Sequence, residues 1–211
     1  MPSALSAYSF LKFVLPSLDY SNNLVIGKPF GSQAWYLIWK RLNLIQEKDL
    51  KKLSYGVNHN DLDFVDYTED TLGNSLGIAS GLSIGNNKKT YCFLSDASIQ
   101  MGPTIEAINF IGLSPYSNKN ITCFVDCNNF QLTGSTSSVS GFDINTINQI
   151  FKNANFKTYI IDCSSDIANK EFFYTFGKDE SLPVVYLFLT KKGDGIKEME
   201  DDPVKYHYAK I

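Results

Sequence analysis

TYCFLSDASIQMGPTIEAINFIG (90–112) and ITCFVDCNNFQLTG (121–134) decide the organisation of the chain. Each opens as a short apolar run dense in β-branched and aromatic residues. Each then breaks into an oxygen-rich turn, Ser95-Asp96-Ala97-Ser98 in the first and Asp126-Cys127-Asn128-Asn129-Phe130 in the second. Nearly continuous apolarity over five or six residues is the pattern of a strand buried on both faces. FKTYIID (156–162) and VVYLFLT (184–190) repeat it. Helical stretches separate these runs. Residues 102–112 place Ile105, Ile108 and Phe110 or Ile111 toward one side. Residues 143–153 start from Asp143 as N-cap and repeat Ile144, Ile147, Ile150 and Phe151. Residues 165–176 carry Ile167, Phe172 and Phe173. Connections of this length between strands require right-handed crossovers and a parallel sheet. The sequence therefore predicts an α/β fold, a doubly wound parallel sheet flanked by helices.

Working outward, the first 70 residues read as a mainly helical lead-in, with 71–211 as the α/β core of a single domain, 1–211. Helices are expected at 4–15 (closed by Pro16), 31–43 and 46–53. VNHNDLDFVDYTED (57–70) reads as a polar loop too acidic to pack as core. The 211 residues are 44% apolar and 19% charged, which fits a globular protein and excludes wholesale disorder. A chain of this size buries roughly 70% of its unfolded surface and needs no disulfide or metal staple. A net charge of −3 argues against nucleic acid as a main partner, because there is no basic excess to displace counterions. Apolar runs such as VVYLFL are too short to span a bilayer, and the N-terminus has neither a basic lead nor a cleavage site. Cys92, Cys123, Cys127 and Cys163 lack C-x-x-C spacing and read as free buried thiols. A cytoplasmic protein is the default expectation.

Ligands of an open parallel sheet collect beyond the carboxyl ends of its strands. Two strands here end in hard oxygen donors, Asp96 in one turn and Asn128 in the other. Such donors suit Mg²⁺, which takes a few protein oxygens and completes its shell from water and phosphate. Backbone N–H groups following Asp96 are placed to receive that phosphate. Asp and Asn also end strands for purely conformational reasons, so spacing alone leaves both readings open.

LSDASIQMGPTIEAI…CFVDCNNFQLTG resembles the thiamine-diphosphate motif in its transketolase form, G-D-G-x-x-Q-E-G-x-x-x-E-A followed by D-x-N-x-x-x-x-G. Here 32 residues separate Asp96 from Asn128. Ser75-Leu76-Gly77 with Gly81 and Gly85 resembles the family's G-S-L-G-x-G-L helix start. LTKKGDGIKEMEDDPVKYH (189–207) is similar to T-x-K-G-x-G-x-x-x-M-E-x-x-x-x-W-H, SALSAYSFL (3–11) to S-L-S-x-x-x-x-L, and IGKPFGSQAWYLIWKRLNLI (26–45) to S-K-G-H-A-x-x-A-L-Y. The resemblance thus runs from about residue 3 to 207.

The resemblance implies that Asp96, Asn128 and the carbonyl of Phe130 hold Mg²⁺ and that the N–H of Ala97 reaches a phosphate oxygen. It places Asn74 near the aminopyrimidine edge of thiamine diphosphate, and Lys192 and Gly193 along the cofactor trench. Glu106 corresponds to an acid of the network linking paired active sites. The chain's two histidines both match family positions: His59 the substrate-contacting histidine of G-H-P, and His207 the one near the diphosphate. On residues alone, both would be ordinary loop histidines. Departures stand beside the matches: Ser95 and Ala97 replace the glycines around Asp96, Met101 replaces the first acid, Phe30 the histidine of K-G-H-A, and Asn74 a glycine.

Full transketolases carry pyrimidine-binding and C-terminal domains that these residues do not match. The resemblance therefore implies the N-terminal subunit of a split, thiamine-diphosphate- and Mg²⁺-dependent enzyme. That enzyme would transfer a two-carbon ketol or acyl unit between sugar or keto substrates, in a two-fold symmetric hetero-oligomer with a second subunit bearing the missing domains. An interface patch including Trp35, Tyr36 and Trp39 is one expectation, and a core role for these aromatics is the other. Two alternatives are a degenerate, non-catalytic partner subunit and one chain of a two-chain decarboxylase. A generic nucleotide-binding module ranks last, since neither G-x-G-x-x-G nor a P-loop follows a strand.

Overall fold

The computed structural model describes residues 2–29, 31–50, 56–113, 118–178 and 181–206. In chain order the elements are α1 (Pro2–Val14), β1 (Asn23–Ile26), α2 (Ser32–Arg41), α3 (Glu47–Leu50), β2 (Tyr67–Thr68), α4 (Ser75–Asn86), β3 (Thr90–Ser95), α5 (Asp96–Ile99), α6 (Gly102–Leu113) and β4 (Ile121–Cys127). There follow β5 (Phe130–Gln131), β6 (Gly134–Ser135), α7 (Thr136–Ser140), α8 (Ile144–Asn153), β7 (Lys157–Asp162), α9 (Ala168–Thr175), β8 (Val184–Leu189) and α10 (Lys197–Asp201). Six strands form one sheet in the order β2-β1-β3-β4-β8-β7, every neighbouring pair parallel. The doubly wound α/β architecture is as the sequence predicts.

Alternation along the strands gives the two faces of this sheet different chemistry. Tyr91, Phe93, Phe124, Tyr186 and Phe188 point to one face, where they meet α1, α2 and α9. The opposite face carries Cys92, Leu94, Cys123, Val125, Cys127, Val185 and Leu187, against α4, α6 and α8. The aromatic face stacks closely: Phe10 lies on Phe188 with ring centroids 4.6 Å apart, and Phe124 meets Phe93 at 4.7 Å. Each fully buried ring contributes roughly 1.5–3 kcal/mol by its burial. Trp35, Tyr36 and Trp39 belong to this core, with Trp39 donating from Nε1 to Tyr20 Oη at 3.1 Å. They are core residues, not an interface patch. Cys92, Cys123 and Cys127 are buried free thiols, and Cys163 is a half-buried one.

Three sequence readings need correction. The lead-in is not simply helical, because β1 and β2 lie within it and build one side of the sheet. NLVI is only four residues long, too short to stand out beside flanking Asn and Gly. The acidic segment 57–70 does pack: Val57, Leu62 and Val65 are buried, and Asp66 Oδ2 accepts from Leu24 N at 2.7 Å. Its apolar residues point inward while most of its carboxylates face solvent. Glu69 is the exception; it is buried and accepts from Gly73 N at 3.0 Å and Asn74 N at 2.9 Å. Finally, the strand read at 156–162 is not buried on both faces: β7 is the outer strand of the sheet, with Ile161 buried and Ile160 exposed. On α6, Ile111 rather than Phe110 is the buried one of the two alternatives. The third expected helix is described only as Glu47–Leu50, since 51–55 lie outside the described residues.

Two helical glycines separate packing from propensity. A Cβ on Gly112 would sit 1.6 Å from the main-chain oxygen of Ala154, whereas one on Gly85 meets nothing within 4 Å. Gly112→Ala should therefore destabilise by roughly 1–3 kcal/mol or more, while Gly85→Ala should stabilise by about 0.5–1 kcal/mol. Urea denaturation of both variants checks the opposite signs.

Candidate functional site: a charged cleft at the carboxyl edge of the sheet

The chain leaves β1 toward β2 on one side and returns to β3 on the other, so the strand order reverses between β1 and β3. Helices depart to opposite faces there and leave a crevice at the carboxyl ends. A cleft of about 320 Å³ opens at this edge. Its lining includes Lys28 after β1, Ser95 and Asp96 at the end of β3, Asn128 and Phe130 after β4, and Lys192 after β8. Ala97 and Met101 also line it.

Asp96 is buried, and its two oxygens are held by main-chain donors: Ala97 N to Oδ1 at 2.8 Å and Asn129 N to Oδ2 at 2.7 Å. Burial pushes its carboxyl up to about 6; Lys28 pulls the other way, and nearby Asp126 adds to the rise. Ser95 and Ser98 cap α5 reciprocally, Ser98 N donating to Ser95 Oγ at 3.2 Å and Ser95 N to Ser98 Oγ at 3.3 Å. The N–H groups of Ala97 and Ser98 are thus both engaged within the turn. A phosphate oxygen reaching Ala97 N would have to replace its bond to Asp96.

Sequence reasoning passed over the group at the centre of this edge, Asp126. Its carboxylate is buried, and Oδ2 accepts from Ser6 Oγ at 3.0 Å, from Asn128 Nδ2 at 3.3 Å and from Lys28 Nζ. Oδ1 accepts from Thr190 Oγ1. Asp126 falls in register beside Ser95, one residue before Asp96, a neighbourhood that appears only once β3 and β4 are paired. Lys28 escaped notice for a different reason: it follows a strand that had not been recognised. Lys192 is buried, and desolvation lowers its ammonium to about 8, with Lys28 adding repulsion and Asp96 and Asp126 opposing. Gly193 beside it has φ +81, and the backbone of Met199 lies 2.8 Å from where a Cβ would stand. Only glycine fits that turn.

The structure brings together Asp96, Ala97, Asn128, Phe130 and Lys192. It does not bring Asn74, Glu106 or His59 to the same cleft. Asn74 and Glu106 line a separate groove of about 740 Å³ between α4 and α6. His59 sits beside β2 at the sheet's outer edge, stacked on Tyr67 at 5.6 Å, with Nδ1 accepting from Thr68 N at 3.2 Å. His207 and Phe30 lie outside the described residues.

The donor set of the cleft fits a Mg²⁺–diphosphate pair. Asp96 supplies a carboxylate, Asn128 an amide oxygen and Phe130 a main-chain carbonyl, all hard oxygens. Two lysines in the same cleft match the negative charge of a diphosphate. Among the described residues no group of three or more His, Cys, Asp or Glu is arranged to hold a metal ion, so any ion here would rest on one carboxylate with amide, carbonyl and phosphate oxygens.

No family model matches the sequence, and no curated protein matches it. Solved structures do. Transketolase from Leishmania mexicana superposes with a TM-score of 0.73 at 18% identity, over 92% of this chain and 33% of that one. Transketolase from Campylobacter jejuni gives 0.69 at 20% identity, over 86% and 31%. A Pichia stipitis transketolase in complex with sedoheptulose 7-phosphate gives 0.64 at 22% identity, over 92% and 32%. The chain spans about a third of the length of these proteins. At these identities the likeness is one of architecture: the chain has a transketolase-like α/β fold.

Proposed function

We propose that this chain is the diphosphate- and Mg²⁺-binding subunit of a split transketolase-like enzyme that transfers a two-carbon ketol or acyl unit between carbohydrate-type substrates. The observation that carries the reading is the cleft itself. Asp96, Asn128, the Phe130 carbonyl, Lys28 and Lys192 converge at the switch point of a sheet shared with transketolases. When bound, thiamine diphosphate supplies the nucleophilic carbon and the electron sink for such a transfer. The chain's own residues do the rest. Asp96, Asn128 and the Phe130 carbonyl hold Mg²⁺, and Lys28 and Lys192 balance diphosphate charge. Met101 and Leu132 add apolar surface to the lining of the same cleft. The resemblance also assigns His59 and His207 as polar contacts for substrate and diphosphate, Asn74 to the pyrimidine edge and Glu106 to a link between paired sites, although His59, Asn74 and Glu106 lie outside this cleft.

A second subunit carrying pyrimidine-binding and C-terminal domains completes the site in a two-fold symmetric hetero-oligomer. Four free thiols suit a reducing compartment such as the cytoplasm. No helix among the described residues is long and apolar enough to cross a membrane. The rival reading is a degenerate partner that stabilises a competent relative. It is favoured by Met101, which presents a thioether where the family carries an acid, and by the Ala97 N–H already bound to Asp96.

Two experiments separate these readings. Tagged protein isolated from its native host should copurify with a pyrimidine-domain chain and contain thiamine diphosphate and Mg²⁺. A partner without cofactor, even after both ligands are added, would establish the scaffold instead. In the second, saturating cofactor and Mg²⁺ at about 100 times Kd should stabilise the wild type by roughly 2.7 kcal/mol, a rise in Tm of about 5–10 °C. Asp96→Asn should remain folded by circular dichroism, show no such rise and lose transferase activity with its partner. An unchanged rise in that variant would remove Asp96 from the metal site.

A further inference from the structure

We propose that Asp126 is a positioning residue that fixes the orientation of the Asn128 amide; this rests on the reading of Asn128 as a Mg²⁺ ligand. An asparagine side chain can present either its oxygen or its NH₂ group toward a given side, and only the oxygen can bind a cation. Three contacts decide the matter here. Asn128 Nδ2 lies between two acceptors, Asp126 Oδ2 at 3.3 Å and Ser6 Oγ at 3.3 Å. On the other side, Asn128 Oδ1 accepts from Phe130 N at 3.0 Å. Rotating the amide by half a turn would press its oxygen against the Asp126 carboxylate and its NH₂ group against the Phe130 N–H. Both contacts become repulsive. The amide oxygen is therefore held on the side of the Phe130 turn, among the proposed oxygen donors, before any ion arrives.

Asp126 is suited to this task because it is itself fixed. Ser6 comes from α1, Lys28 from the end of β1 and Thr190 from the end of β8, and all three donate to its carboxylate. Lys28 pairs with Oδ2, and with Ser6 and Thr190 also donating to the carboxylate, its oxygens face Asn128 as acceptors. Neutral Asn at this position could present either a donor or an acceptor to Asn128, so the orientation would no longer be imposed. Ser6 reinforces the arrangement by donating to Asp126 Oδ2 while accepting from Asn128 Nδ2.

Mn²⁺ titration of the full chain with thiamine diphosphate present, followed by electron paramagnetic resonance, tests this without reference to turnover. Asp126→Asn should weaken Mn²⁺ binding by about 10–100-fold, the range expected for a group that orients a metal ligand. Gly112→Ala, which destabilises through its clash with the Ala154 carbonyl and touches neither Asp126 nor Asn128, is the control. It should lower Tm comparably yet leave the Mn²⁺ affinity within about twofold of wild type. Equal losses of affinity in the two variants, or none in Asp126→Asn, would overturn the assignment and leave Asp126 a structural anchor. Should Asp126→Asn not fold, Ser6→Ala decides. Removing one of the two acceptors of Asn128 Nδ2 should weaken Mn²⁺ binding several-fold, and an unchanged affinity would contradict the proposal. Wild-type protein that binds no Mn²⁺ would instead defeat the cofactor reading, and this inference with it.

Discussion

Asp126 gathers four segments that are distant in sequence: α1 through Ser6, the end of β1 through Lys28, the β4–β5 turn through Asn128 and the end of β8 through Thr190. Removing one partner of a buried ion pair commonly costs about 3–5 kcal/mol, because the other charge is left without compensation. Here the same contacts define the floor of the cleft. Register places Asp126 beside Ser95, so Asp96 begins its turn one residue further along, close enough for the two carboxylates to repel. Two buried acids side by side are tolerable only with cations nearby. Lys28 and Lys192 meet that need in the structure as it stands, and a divalent ion at Asp96 would meet it further.

The sheet makes this arrangement rigid through a division of labour between its faces. Large rings on one face take up the helices of the N-terminal third, so α1 is held tightly enough for Ser6 to reach Asp126. Smaller side chains on the other face let α4, α6 and α8 approach closely. Neither outer strand invites further pairing: β2 has only two residues, and β7 begins with Lys157 and ends with Asp162. Polar groups are thus concentrated at the carboxyl edge, where the strand order reverses. That concentration, in a fold shared with transketolases, is the physical basis for the functional reading.

Much of this was legible in the sequence, and what was missed has identifiable causes. The β3, β4 and β8 runs stand out because buried parallel strands are nearly continuous in apolarity, β7 stands out by its β-branched and aromatic residues although it is a half-exposed edge strand, and Asp143 announces α8 by capping it through Thr146 N at 2.7 Å. β1 and β2 were hidden, since four and two residues are too few to establish a period. Burial within 57–70 was hidden as well, because composition averages the inward Leu62 and Val65 with the outward acids. Among site residues, Asp96, Ala97, Asn128, Phe130 and Lys192 share one cleft. Asn74 and Glu106 face a different groove, and His59 is tied to Thr68 at the sheet's edge. Lys28 and Asp126 could be recognised only once a strand pairing had brought them together.

The departures from the transketolase pattern also take on physical meaning. Ser95 replaces a flexible glycine with a capping hydroxyl that stiffens the turn through Ser98. Met101 brings an apolar wall into a cleft where the family carries an acid. Both changes alter the surroundings of the proposed metal donors without removing any of them. The most direct test of the account is therefore calorimetric titration of thiamine diphosphate into the protein with and without Mg²⁺. Binding that requires Mg²⁺ is the predicted result. Binding of equal strength without the ion, or none in its presence, would contradict the assignment of this cleft.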